Sequence, residues 1–355
     1  MTQSVSDGLN LVTGGTGLLG SHIVEALVRA GGGVRVLVRA GSDTRFLKSL
    51  GVELVEGDIT DAGSLDRVCQ GVTRVYHSAA RVGDWGPWRE FVEITIEATR
   101  KLLGAATAAG VRRFLHISSI SAYGHVNQPR LVLDEAAPLG RCLDKWSYYS
   151  RAKVEAEKLV WAAHQRGDLE VTVIRPSWLY GPRDRATIGR LCTSIRRGKL
   201  RLIGDGNNRL NLVHAGNVAE AAVTASVAPQ AVGEAFNCSN DGAITQRQYF
   251  NMVAEALGEA PITRKIPYTV AYNLGFLLEL IGHTFRLKRN PLITRYSVWL
   301  MGRKTFFDCG KARRVLNWQP AVGYEQGIPE AVASYLSRQA SAASDDSRQL
   351  AATGG

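Results

Sequence analysis

The chain has 355 residues, 45% of them hydrophobic and 21% charged, enough for one large α/β body and a smaller appended lobe. Mean hydropathy is −0.07 and no run approaches about 18 uninterrupted apolar residues, which excludes wholesale disorder and argues against a transmembrane span. Lys and Arg number 43 against 32 Asp and Glu, and the resulting +11 raises nucleic-acid and membrane readings that depend on where the charge sits.

Residues 1–8 lack the apolar core of a secretory signal and are expected to be flexible, which points to a cytoplasmic chain. Strands are predicted at Leu9–Thr13, Val34–Arg39, Val52–Glu56, Arg74–Ser78, Arg113–Ser118 and Val171–Arg175, short apolar runs rich in β-branched residues. Between them Ser21–Arg29, Phe91–Ala109 and Ser150–Gln165 carry helical periodicity. This alternation predicts an α/β fold, a doubly wound parallel sheet with helices on both faces, over residues 9–175 with a returning segment near 212–238. After Pro176 the alternation fails, and residues 176–211 and 239–336 are read as a smaller α/β substrate lobe. Residues 337–355, small and polar without aromatics, are read as a disordered tail. The five cysteines are widely spaced without a C-x-x-C pair, and the seven histidines show no ligand spacing, so neither a disulfide framework nor a metal site is expected.

Leu11-Val12-Thr13-Gly14-Gly15-Thr16-Gly17-Leu18-Leu19-Gly20 runs from a strand through a Gly-rich turn into a helix. Gly14 permits the tight turn, Gly17 removes a side chain where backbone must approach a pyrophosphate, and Gly20 lets the helix close on the strand. The helix N-terminus then offers free N–H groups to phosphates. At the end of the second strand, where NAD binders usually place an acid, this chain has Arg39, with Arg45 close behind. A guanidinium suits a 2′-phosphate, which favours NADP(H) over NAD(H); a solvated surface arginine is the plain alternative. Asp58 can meet the adenine amino group beneath Ile59 or simply cap its own turn. Ala79 and Ala80 leave room for a cofactor across the sheet edge.

Tyr149-Ser150-Arg151-Ala152-Lys153 opens a predicted helix with Tyr149 and Lys153 one turn apart on one face. An ammonium there is expected to lower the phenol's pKa toward the range useful for proton transfer. Upstream, the fifth strand ends in Ser118-Ser119-Ile120-Ser121, where a hydroxyl can point into the ligand crevice of a parallel sheet. Ser119 is the preferred carbonyl-orienting donor, ahead of Ser118 and Ser121.

Together with Arg175-Pro176-Ser177-Trp178-Leu179-Tyr180-Gly181-Pro182, these motifs resemble the extended short-chain dehydrogenase/reductase superfamily, in order and at its spacing, over roughly residues 9–336. The resemblance implies a Rossmann domain and a C-terminal lobe with the substrate between them. It also implies a Ser119–Tyr149–Lys153 mechanism in which Lys153 holds the nicotinamide ribose, with Pro176 beside the nicotinamide. The expected cofactor contacts are Gly14, Thr16, Gly17, Leu18, Leu19, Gly20, Arg39, Arg45, Asp58, Ile59, Ala79, Ala80, Tyr149, Lys153 and Pro176.

Within the superfamily, Gly204-Asp205-Gly206-Asn207-Asn208-Arg209-Leu210-Asn211-Leu212-Val213-His214 is similar to the steroid-dehydrogenase-like group. Sugar-nucleotide enzymes usually carry an arginine four residues before that histidine, where Leu210 stands. Between Pro261 and Arg314, eleven Lys and Arg face two acids, so nine of the eleven net charges lie in the lobe. They interleave with the apolar stretch Tyr268–Ile281. This reads either as a greasy pocket resting on an anionic membrane or as a core helix with a solvated basic rim. Trp85, Ser121 and Trp178 are candidates to touch substrate.

The expected activity is ketone–alcohol interconversion on a hydrophobic 3-oxoacyl, sterol-like or flavonoid-like substrate, in a homodimer without nucleic-acid partners. An NAD-dependent sugar-nucleotide epimerase or dehydratase is the enzymatic rival. A dinucleotide-sensing regulator is the third class, and the intact Tyr149 and Lys153 count against it.

Overall fold

The computed structural model describes residues 4–287 and 289–353, those from 341 onward as backbone alone. Seven strands form the central sheet: β1 (Leu9–Thr13), β2 (Gly33–Val38), β3 (Glu53–Glu56), β4 (Val72–His77), β5 (Arg113–Ile117), β6 (Glu170–Pro176) and β7 (Glu234–Cys238). Every neighbouring pair is parallel, in the order β7-β6-β5-β4-β1-β2-β3. The order reverses between β1 and β4, which opens a crevice at their carboxyl ends where ligands bind in such sheets. The central strands are apolar on both faces because helices cover both sides, and β5 is buried at all five positions.

One face of the sheet is covered by α1 (Leu18–Arg29). The other is covered by α2 (Ala98–Ala108) and α3 (Tyr148–Gln165), while α4 (Ala215–Val227) returns to pack on α1. The small residues of α4, among them Ala219 and Ala222, let the two helices approach closely. Ahead of α2, the helical turn Trp88–Phe91 passes through a π-helical stretch at Val92–Glu97. There the Thr95 hydroxyl accepts from the Arg81 backbone N–H at 3.0 Å, holding the loop after β4.

The lobe has its own core, built on Tyr180, Ile188, Leu191, Tyr249, Phe250 and Val332. It contributes α5 (Tyr268–Thr284), α6 (Arg295–Gly302) and the final helix α7 (Tyr324–Thr353).

Three boundaries differ from the sequence reading. Residues 4–8 of the expected flexible lead-in form a folded turn: Val5 is 5% exposed in the main core and its carbonyl accepts from Asn10 Nδ2 at 2.9 Å. The expected disordered tail from 337 continues α7 as helix to Thr353, since an alanine-rich polar stretch favours helix as readily as coil. Arg338 there donates to the Asp184 carbonyl at 2.5 Å. Residues 1–3 and 354–355 lie outside the described residues. Finally, Cys309, Ala312, Leu316 and Trp318, assigned to the lobe, pack in the core of the sheet domain.

Candidate active site

The turn from β1 into α1 is built from glycines that nothing larger can replace. Gly14 has φ +73°, and a Cβ on it would lie 2.7 Å from the Ala79 nitrogen; a Cβ on Gly20 would lie 2.1 Å from the Gly14 oxygen. Gly15, which the motif reading passed over, is equally constrained, because a Cβ there would meet Val36 Cγ1 at 2.4 Å. Gly17 caps α1 without any side chain, so the first N–H groups of the helix face the crevice. Leu18 and Leu19 pack into the core behind the turn, and Ala79 and Ala80 flank it at the end of β4.

Beside the turn lies a cavity of about 690 Å³ whose lining includes Thr16, Arg39, Ser42, Asp43, Asp58 and Arg185. Arg39 is exposed at its wall, as expected. Arg45 is not part of that wall: its guanidinium grips Asp43 at 3.0 and 3.1 Å. Its place is taken by Arg185, from the lobe, which pairs with the same Asp43 at 3.1 Å. Asp58 takes its second sequence reading: Oδ1 accepts from the Thr60 backbone and hydroxyl at 2.8 and 2.7 Å, capping the turn at the cavity edge. Those two bonds hold its carboxyl below the usual range. Ile59 is buried beside it, and Pro176 is buried where β6 ends against Cys238.

At the carboxyl end of β5 Ser119 and Tyr149 come together, with Lys153 one turn along α3 from Tyr149. The Ser119 hydroxyl lies beside the Tyr149 phenol. Ser119 Oγ accepts from the Ser121 backbone at 3.1 Å, which fixes its rotamer. Lys153, 4% exposed, donates from Nζ to the Ile117 carbonyl at 2.7 Å. Burial brings the Lys153 ammonium down to about 8, opposed by the negative charge of Glu157. The expected lowering of the phenol is not what this structure has. Burial pushes Tyr149 up, with only the neighbouring Ser119 hydroxyl pulling the other way, and Lys153 is directed at a strand carbonyl.

The other two serines have different partners. Ser118 Oγ donates to Glu157 at 2.5 Å, away from the crevice, and Ser121 Oγ pairs with the Tyr296 hydroxyl at 2.9 Å. Glu157 is fully buried. Its Oε1 accepts two bonds from Arg175 on β6 (Nη2 at 2.5 Å, Nε at 3.1 Å) and one from Trp161 at 3.1 Å. Arg175 in turn donates to the Tyr123 hydroxyl at 2.7 Å. This floor ties α3 to β5 and β6 directly beneath the lysine. Glu157 was legible, since 149, 153 and 157 lie on one helix face; its partner on a distant strand was not.

Tyr149 lines a second cavity, about 170 Å³, between the sheet domain and the lobe. Aromatic rings dominate its lining, among them Trp85, Trp146, Tyr148, Tyr272, Tyr296 and Trp299. Trp85 lines this cavity, its indole donating to the Leu287 carbonyl at 3.0 Å. Trp178 is not in this lining. Its short strand Trp178–Tyr180 pairs with Leu212–His214, and the indole packs edge-on against Tyr249 in the lobe core. Tyr296 was missed altogether; on α6 of the lobe, its ring lies edge-on to Tyr149 at 6.2 Å, and no local motif announces it. His125 was missed too: Nε2 bonds Ser150 at 3.0 Å, and burial holds it down to about 4, hence neutral. Arg295, the one cation lining the cavity among the described residues, is held by Glu279 at 2.6 Å and Asp144 at 2.7 Å.

The glycine cradle, the open helix N-terminus and the buried lysine fit a dinucleotide laid across the carboxyl ends of β1 and β4. The sequence profile of the NAD dependent epimerase/dehydratase family matches residues 10–239. A 2-alkyl-3-oxoalkanoate reductase of Stenotrophomonas maltophilia is 30% identical over 330 residues, 91% of this chain and 98% of the relative. A 3beta-hydroxysteroid-dehydrogenase/decarboxylase of Arabidopsis thaliana is 28% identical over 351 residues, 92% of this chain and 79% of the relative. Among solved structures, MoeE5 in complex with UDP-glucose and NAD superposes with a TM-score of 0.72 at 26% identity, over 94% of this chain and all of that one. The chain belongs to the NAD dependent epimerase/dehydratase family, the extended short-chain dehydrogenase/reductases, and is an NAD(P)-dependent enzyme of that group.

Proposed function

We propose that the protein is an NADP(H)-dependent oxidoreductase that interconverts a ketone and a secondary alcohol on a hydrophobic substrate of the 3-oxoacyl or sterol-like class. The observation that carries this reading is Tyr149, with Ser119 beside it, lining an aromatic cavity whose one cation among the described residues is already neutralised. A nucleoside diphosphate needs unpaired cations, whereas an aliphatic or sterol body needs apolar walls. The names of the relatives, an oxoalkanoate reductase and a hydroxysteroid dehydrogenase, support the same class.

A nicotinamide dinucleotide held by the Gly14–Gly20 turn and Lys153 would supply the hydride. The chain supplies the rest. Ser119 donates to the substrate oxygen, and Tyr149 delivers the proton to it in the reductive direction. Burial keeps the Tyr149 phenol protonated at neutral pH, which suits a proton donor. Lys153 holds a positive charge beneath the pair while it remains protonated, below about pH 8. Arg39, joined by Arg185 across the larger cavity, favours a 2′-phosphate over a bare 2′-hydroxyl.

Replacing Tyr149 with Phe removes the proton donor and keeps the ring against Tyr296. Turnover should fall by ~10²–10⁴ with dinucleotide affinity retained, measured by NADPH consumption and by fluorescence titration. A fully active Phe variant overturns the assignment. Incubation with NADPH and separate 3-oxoacyl, sterol and nucleotide-sugar substrates separates the rival reading, because an epimerase turns over nucleotide sugar without net loss of reduced cofactor.

A further inference from the structure

Helix α5 is built inside out. Its inward stripe is small: Ala271, Gly275 and Gly282 are the close-packed positions, with Glu279 the fourth. A Cβ on Gly275 would sit 3.0 Å from the Arg295 nitrogen, and one on Gly282 would sit 2.6 Å from the Trp85 ring. Its large apolar side chains point the other way. Val270, Leu274, Leu277 and Ile281 form one outward row at helical spacing and Leu280 widens it, while Phe276 at its edge stacks on Trp146; Leu277 is 51% exposed. A core helix does the reverse, which removes the core-helix reading of this stretch.

The apolar face continues beyond the helix. Phe285, Leu287 and Leu292 are exposed, at 71%, 51% and 88%. Phe285 and Leu287 are not on a loose loop. Arg286 takes a left-handed conformation (φ +50°) and the Leu287 N–H closes back on the Gly282 carbonyl at 2.9 Å, a Schellman end. The Leu287 carbonyl is then pinned by the Trp85 indole. Ten of the twelve large apolar side chains most exposed among the described residues thus fall between Val270 and Leu292, nine of them outside the cavity lining, which takes only Tyr272. So concentrated a patch marks a surface that something covers.

Charge decides what covers it. From Pro261 to Leu292 the sequence holds Arg264, Lys265, Arg286, Lys288 and Arg289 against a single acid, Glu279, which is turned inward onto Arg295. Arg264, Lys265, Arg286 and Arg289 are exposed; Lys288 lies outside the described residues. A second copy of the chain docked face to face would set this cationic rim against itself. An anionic bilayer meets both halves of the pattern, apolar residues entering the acyl boundary and cations resting among the headgroups.

We propose that the outer face of α5 and its Schellman turn form a docking surface for an anionic phospholipid membrane. Among the described residues no helix is long and apolar enough to cross one, so the contact is peripheral. The inner face of the same helix contributes Tyr268, Tyr272, Glu279 and His283 to the cavity over Tyr149. The site therefore lies one helix thickness, about 10–12 Å, from the lipid.

The test is cosedimentation of the full chain with vesicles of equal parts phosphatidylglycerol and phosphatidylcholine, and with vesicles of phosphatidylcholine alone. The wild type should bind the anionic vesicles at least ~10-fold more tightly than the neutral ones. Leu274→Glu/Leu277→Glu, at two exposed positions that leave the core untouched, should weaken binding ~100-fold or more. Arg286→Glu/Arg289→Glu should abolish the preference for anionic lipid. Circular dichroism and NADPH affinity of both variants should match the wild type, since neither pair touches the dinucleotide site. The proposal is overturned if the wild type stays in the supernatant with both vesicles. It is equally overturned if Leu274→Glu/Leu277→Glu leaves binding unchanged, or if that variant instead lowers the oligomer mass of a chain that binds no vesicle.

Discussion

Glu157 touches neither substrate nor crevice, yet the geometry makes it the most consequential residue beneath the site. Changing it to Gln keeps its size and removes its charge, so the buried Arg175 guanidinium keeps neutral acceptors, the amide oxygen, the Tyr123 hydroxyl and the Glu135 carbonyl, but loses its counter-charge. Breaking a buried pair from one side costs about 3–5 kcal/mol, because the surviving charge is uncompensated. The amide can keep part of the bonding to Ser118 and Trp161, so the lower end, about 3 kcal/mol, is expected. A second effect falls on Lys153. Glu157 supports its charged form, so the variant's lysine should titrate below about 8. The linkage has a definite sign: Lys153 is already below its ordinary 10.5, so between about 8 and 10.5 the unfolded chain binds more protons than the folded one. Its contribution to stability therefore rises with pH across that window, and the variant extends the window downward.

Urea unfolding at neutral pH reads the first effect, as a midpoint shift at constant slope, and the pH profile of NADPH-dependent turnover reads the second, as an alkaline limb moved to lower pH. Adding Arg175→Met should restore at least ~1 kcal/mol of the loss, since removing both charges costs less than removing one. A Glu157→Gln protein within ~0.5 kcal/mol of wild type, with its alkaline limb unmoved, would refute the reasoning.

The two neighbouring serines should separate cleanly: Ser119→Ala should lower kcat by ~10²-fold or more with little change in urea midpoint, whereas Ser118→Ala should cost about 1–3 kcal/mol of stability with kcat nearly intact. Replacing Arg39 with Ala should reduce the preference for NADPH over NADH by ~10–100-fold, read from the ratio of kcat/KM values. Arg303 is buried over the Trp299 and Phe307 rings, with none of its three nitrogens hydrogen-bonded, and burial brings it down to about 9. Arg303→Met, which fills the volume without the charge, should therefore hold stability constant or raise it by ~1–2 kcal/mol in urea unfolding.

What the sequence made legible was what is local. The turn at Gly14–Gly20 and the Tyr149–Lys153 step each lie within one stretch of chain, so spacing alone carries their geometry. Arg39 needed only its place at the end of β2. The misses are residues whose meaning depends on a distant partner. Arg185 and Tyr296 reach the two cavities from the lobe, and Trp178 is drawn into the lobe core by Tyr249. Periodicity revealed that Tyr268–Ile281 is apolar but not which stripe meets the body. The signal lay in the small residues Ala271, Gly275 and Gly282, which close packing demands and a merely greasy helix does not. The lead-in was misread for a similar reason: Val5 alone among polar residues gives no pattern, yet it finds a place in the core.

The central claim is hydride transfer to a hydrophobic ketone with Tyr149 as proton donor. It is tested most directly by incubating the protein with C4-deuterated NADPH and a long-chain 3-oxo acid, then weighing the product by mass spectrometry. One deuterium on the carbinol carbon, absent with Tyr149→Phe, is the predicted result. No label in any 3-oxo product, together with conversion of a nucleotide sugar at constant NADPH, would contradict it.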